Sequence, residues 1–161
     1  MAYTGGMMDT VERRTNLGER IRMLRKQRGL SQVRLSQDVA MGRAYLSRVE
    51  SGTRNVGFDM LCRIADGLQV SVDLLLSDQP LPDQLPRIDD APSIEQRSKQ
   101  LGANILALRL AQDMTQQHLS EKTHVERSYL AKVEKAQRNA SFDILCKLAD
   151  GLGVKPSDLA S

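Results

Sequence analysis

Residues 32–50 read QVRLSQDVAMGRAYLSRVE, and the fold turns on how this stretch divides. Its spacing predicts two short helices joined by a tight turn. The first covers about 31–39, with Ser31 as N-cap and Leu35 and Val39 as core contacts. Ala40-Met41-Gly42 makes the turn. The second helix covers about 43–51 and is closed by Gly52, a residue suited to the left-handed position that ends helices. Stepping this helix at about 100° per residue puts Tyr45, Leu46, Val49 and Glu50 on one side. Arg43, Ala44, Ser47 and Arg48 fall on the other. One face packs, and the other is small and basic. Such a helix suits the major groove of DNA, which admits a helix and whose guanine O6 and N7 acceptors match an arginine fork.

The flanks extend the pattern. Upstream, Leu17, Ile21 and Leu24 make the buried stripe of a helix over 16–28, ended by Gly29. Arg25 lies at the stripe's edge. Downstream, a polar loop carries Arg54 and Asn55. An amphipathic helix over 58–68 follows, with Phe58, Leu61, Cys62, Ala65 and Leu68 inward and Asp59 in its first turn, where an acid suits the helix dipole. Ser71 caps a last short helix over 72–76.

Over residues 17–76 this block resembles the lambda-repressor/Cro-like helix-turn-helix family, a five-helix DNA-binding domain. The resemblance rests on Ser31-Gln32 opening the second helix and on Glu50-Ser51-Gly52 closing the third. The loop Thr53-Arg54-Asn55 and the turn Leu68-Gln69-Val70 complete it. It implies base contacts from the positions of Arg43, Ala44 and Arg48, with Ser47 on the same face. It also implies an ion pair, Arg25 with Glu50, joining the first helix to the third. Gln32 at the start of the second helix, and Arg54 and Asn55 after the third, are expected to meet backbone phosphate, which positions without reading sequence.

The chain then repeats itself. At a constant offset of 84, 25 of the 59 positions from 17 to 75 recur identically, so a second domain of the same kind is expected. Core positions must stay apolar in any folded duplicate and discriminate little. The informative matches are exposed ones: Gln116 for Gln32, Arg127 for Arg43, Lys132 for Arg48, and Arg138-Asn139 for Arg54-Asn55. Arg127, Ser128 and Lys132 are therefore the expected reading residues of the second copy, and Arg109–Glu134 its ion pair. Three departures stand out. Gly52 becomes Ala136, so the left-handed cap is expected to be lost or reshaped. Ala40 becomes His124, which tolerates that conformation. Gly42 becomes Glu126, an acid beside the reading helix.

Composition bounds the rest. The chain has 161 residues, no tryptophan, 3% aromatics and a net charge of +3. That allows two small domains with aliphatic cores. Lys and Arg outnumber Asp and Glu by 10 to 6 over 15–76 and by 10 to 8 over 94–161, whereas 77–93 carry 1 against 4. Two basic domains flanking an acidic join fit nucleic-acid binding. Residues 77–93 hold four of the five prolines. They read as a semi-extended spacer, able to span roughly 50 Å. Residues 1–14 read as a flexible tail. No apolar run approaches the roughly 18 residues of a membrane span, and no leader follows Met1. A cytoplasmic protein is expected.

Cys62 and Cys146 read as small buried hydrophobes, and His118 and His124 as isolated surface residues. No catalytic constellation, metal-spaced ligand set or cofactor motif is present, so neither an enzyme nor a cofactor is expected. The expectation is an all-α protein of two tandem five-helix lambda-repressor-like DNA-binding domains, at 15–76 and 94–161, joined by a Pro-rich linker. It would act as a sequence-specific regulator of transcription, a repressor, on double-stranded DNA with two related half-sites. The sequence leaves open a homodimer of chains, a protein-interaction module such as an antitoxin or antiactivator, and a regulator whose second copy only dimerises.

Overall fold

The computed structural model describes residues 8–161 and, among them, ten α-helices with no strand. The first half holds α1 (Thr10–Gln27), α2 (Gln32–Asp38), α3 (Arg43–Glu50), α4 (Phe58–Leu68) and α5 (Val72–Leu76). The second repeats it as α6 (Ile94–Ala111), α7 (Gln116–Thr123), α8 (Arg127–Glu134), α9 (Phe142–Leu152) and α10 (Pro156–Ala160). We call the halves head one and head two. Local chemistry sets the helix starts. The Ser31, Ser71 and Thr115 hydroxyls each accept from the backbone N–H three residues on, which satisfies one orphan donor of the first turn. Ser93 and Gln96 form a reciprocal capping box at the start of α6.

Each head buries an aliphatic core. Ile21, Leu24, Leu35, Leu46 and Leu61 are fully buried in head one, as are Ile105, Leu119, Leu130 and Leu145 in head two. The two cores are continuous because the heads are docked on one another. Phe58 N–H donates to Ala140 O at 2.8 Å and Phe142 N–H to Val56 O at 2.7 Å, a minimal antiparallel bridge centred on Gly57 and Ser141. Short α5 packs on α10, with Leu75 and Leu159, at equivalent positions, both fully buried. Arg13 pairs with Asp150 at 2.9 Å, and Arg97 with Asp66 at 2.7 Å. These are the same pair, exchanged between heads. These contacts are matched by their mates with the heads swapped, the mark of an isologous two-fold interface, here made within one chain, whereas the Arg14–Asp143 and Lys155–Asp78 pairs have no such mate.

Two expectations change. Of the expected tail, residues 1–7 lie outside the described residues, and residues 10–14 belong to α1. There Arg13 and Arg14 reach Asp150 and Asp143 of head two, so long-range ion pairs anchor a segment with no periodicity of its own. The Pro-rich segment is not a spacer holding the heads apart. It runs as a strap along head one. Arg28 donates to Pro86 O at 2.5 Å, Gln27 to Pro82 O at 3.2 Å, and Ile88 N–H to Gln69 O at 3.0 Å. Prolines forbid a helix, but their carbonyls remain strong acceptors, and the head's side chains use them.

Candidate nucleic-acid interface

The geometry of each head begins with a close approach. A Cβ on Gly18 would lie 2.4 Å from Glu50 O, and one on Gly102 2.5 Å from Glu134 O. Only glycine lets the first helix cross the end of the third this closely. The crossing brings Arg25 to Glu50, with Nε at 2.6 Å and Nη2 at 3.0 Å from the two carboxylate oxygens. Arg109 meets Glu134 in the same fork, at 2.7 and 3.0 Å. Both pairs are nearly sealed, with side-chain exposures of 9% and 4% in head one and 8% and 4% in head two. The Glu50 carboxylate holds the Arg25 guanidinium above its ordinary pKa.

Gln32 and Gln116 complete a triad. Each amide donates to the second carboxylate oxygen of its glutamate at 2.9 Å. The start of α2 is thereby tied to the end of α3, and α7 to α8. This contact was not foreseen. Its signal was the exact recurrence of Gln beside the recurring Arg and Glu.

The outward face of α3 carries Arg43, Ala44, Ser47 and Arg48, all exposed, while Leu46, Val49 and Glu50 are buried. On α8, Arg127, Ser128 and Lys132 are exposed over buried Leu130 and Val133. Ser128 donates to the Glu126 carboxylate, so the acid that replaces Gly42 engages a side chain on the outward face of α8.

The loop residues divide. Arg54 lies over the Tyr45 ring at 5.0 Å, and Arg138 over Tyr129 at 5.4 Å, so cation–π contact holds Arg54 beside α3 and Arg138 beside α8. Asn55 and Asn139 were expected against phosphate. Instead their side chains cross to the other head. Asn55 Oδ1 accepts from Asp143 N–H at 3.3 Å. Asn139 Oδ1 accepts from Asp59 N–H at 3.2 Å, and its Nδ2 donates to Asp59 Oδ1 at 2.6 Å. The bridge at Gly57 and Ser141 delivers each asparagine to the opposite head's fourth helix, whose first N–H groups have no helical partner.

Burial pushes the Cys62 and Cys146 thiols up to about 11. Among the described residues no group of three or more His, Cys, Asp or Glu side chains is placed to hold a metal. No described helix is long and apolar enough to cross a membrane.

Comparison with known proteins agrees with the duplicated architecture. A helix-turn-helix domain model matches residues 16–77, and a second helix-turn-helix model matches 105–159. Control protein C.BamHI of Bacillus amyloliquefaciens is 34% identical over 59 residues, covering 36% of this chain and 73% of that protein. The immunity repressor protein of Bacillus phage phi105 is 39% identical over 57 residues, 35% of this chain and 40% of that protein. Among solved structures, the restriction-modification controller protein C.AhdI from Aeromonas hydrophila is 34% identical. That match covers 40% of this chain and 96% of the controller, with a TM-score of 0.38. With a helix-turn-helix family model matched in each half, and C.BamHI 34% identical over 73% of its own length, the chain belongs to the lambda-repressor/Cro-like helix-turn-helix family of DNA-binding transcriptional regulators.

Proposed function

We propose that one chain acts as a ready-made pseudo-dimer, a repressor whose two heads read the two halves of one imperfectly symmetric operator. The observation that carries this reading is the reciprocal docking of the heads, which leaves the outward faces of α3 and α8 exposed together. Members of this fold commonly assemble two chains on half-sites about 34 Å apart, so operator symmetry mirrors protein symmetry. Here the second subunit is covalently supplied, and its reading face differs.

In this reading Arg43 and Arg48, and Arg127 and Lys132, reach base edges. Ala44 offers a methyl to thymine, and Ser128 is a weaker reader held by Glu126. Arg54 and Arg138 contact phosphate, and Gln32 and Gln116 border the same surface. The preferred site therefore holds two related, non-identical elements. Repression is by occupying promoter DNA, in a bacterial cytoplasm, with no cofactor. The experiment is in vitro selection with the full chain, followed by light scattering on the complex and affinity measured across salt. The expected result is one chain per duplex and a steep fall of affinity with salt. Two chains per duplex would overturn the pseudo-dimer reading, and a flat salt plot would overturn DNA binding as the main activity.

A further inference from the structure

We infer that the two heads hold DNA unequally. Head one grips phosphate through Arg22 and Lys26 on α1, and head two has given those positions up to leucine. This rests on the reading of the chain as a DNA-binding pseudo-dimer.

Each head carries a shallow depression where its first three helices meet, beside the reading helix. In head one Arg22, Gln32, Arg43 and Ser47 border it. In head two Leu110, Asp113, Gln116 and Arg127 border it. Gln32 and Arg43 are the counterparts of Gln116 and Arg127, so the two depressions are the same place in the two heads. Arg22 and Lys26 are exposed, and among the described residues neither pairs with a carboxylate. Arg22, exposed on the rim that also carries Arg43, is placed for a phosphate oxygen, and Lys26 follows it one turn on along α1, at the position whose counterpart Leu110 borders the depression of head two.

Their counterparts are Leu106 and Leu110, 37% and 58% exposed. Neither leucine is needed by the core at that exposure. Two further changes act in the same direction. Gly29 gives way to Asp113 and Gly42 to Glu126, both exposed acids. Lys135 stands in place of Ser51, which borders the depression in head one, and returns one positive charge there. The balance around the depression still shifts from basic to neutral. Each neutralised phosphate steepens the fall of log affinity with log salt by about 0.9, so head one carries more of the electrostatic grip. Head two discriminates through Arg127 and Lys132 without equal anchorage.

The test uses the full chain and a duplex recovered by selection with it. The salt dependence of affinity is measured for the wild type and three double variants. Arg22→Leu with Lys26→Leu should flatten the slope by about two. Leu106→Ala with Leu110→Ala should leave it unchanged. Leu106→Arg with Leu110→Lys should steepen it by about two. All six substitutions are at exposed positions, and melting curves confirm folding. A steep wild-type slope that the first variant does not change would sink this inference alone. A gain variant with the wild-type slope would do the same, because the site in head two would then not face phosphate. A flat wild-type slope would instead sink the DNA-binding reading beneath it.

Discussion

Four backbone positions outside glycine's usual monopoly separate the heads in residue type while leaving their shape alone. Head one turns through the left-handed region at Gly29, Ala40, Gly52 and Gln69, with φ of 69°, 51°, 75° and 55°. Head two turns at the four equivalent positions through Asp113, His124, Ala136 and Gly153, with φ of 54°, 56°, 55° and 68°. The expectation that the left-handed cap would be lost or reshaped at Ala136 is therefore corrected: it keeps a left-handed φ of 55°. The lesson is about which force wins. A left-handed non-glycine residue costs roughly 1–2 kcal/mol. The packing of helix three against helix one, and the triad it closes, is larger, so the conformation persists when the glycine goes.

The comparison can be broken most severely at what the heads share. Glu50→Ala leaves the buried Arg25 fork without its carboxylate, and Glu134→Ala does the same to Arg109. Each should destabilise the chain by about 3–5 kcal/mol. Because the cores are continuous, either variant should lower a single cooperative transition in calorimetry. Two separated transitions would show that the heads unfold independently.

Next come the reading faces. Arg43→Ala and Arg127→Ala should each weaken binding to a selected operator by about 1–3 kcal/mol. Each should relax base preference in a different half-site, as read by repeated selection. An unchanged footprint for Arg127→Ala would leave head two as a docking partner only.

The left-handed cap offers a test with opposite signs. A Cβ on Gly52 would lie 2.7 Å from the Thr15 backbone at a φ of 75°. Gly52→Ala should thus cost about 2 kcal/mol. Ala136→Gly relieves strain and should gain up to about 1 kcal/mol. Melting temperatures that move in the same direction for both would refute the strain argument.

The smallest effect belongs to the exchanged caps. Asn139→Ala removes two bonds to head one, and Asn55→Ala removes one bond to head two. The expected losses are about 1 kcal/mol for Asn139 and less for Asn55. Hydrogen exchange at the Asp59 and Asp143 amides should report each loss in the opposite head.

Much of each head was legible because its signals are local. The spans of α4, α5 and α9 follow from amphipathic spacing and caps, and the expected spans 58–68 and 72–76, with the first of these carried on by the offset of 84, agree with them. Helix α1 starts earlier than its apolar stripe, because Arg13 and Arg14 answer to carboxylates of the other head, more than 120 residues away in the chain. The strap was misread for a related reason. Proline density predicts what a segment cannot become, and does not say which side chains will bind its carbonyls. The paired recurrence of Arg25, Gln32 and Glu50 was visible, yet only the coordinates join Gln32 to Glu50.

Sequence alone determined the duplication, the all-helical class, the apolar faces and the exposed basic faces of α3 and α8. Periodicity and an offset of 84 need no knowledge of distant contacts. Tertiary structure decided that the heads dock, that Asn55 and Asn139 cap the opposite head, and that Ala136 stays left-handed. The first two depend on which unpaired N–H, carbonyl and carboxylate groups meet across some 80 to 140 residues of chain, and the third on a triad within head two whose partners lie 18 to 25 residues apart. No window of neighbouring residues contains both partners of such a contact, so no local pattern records it.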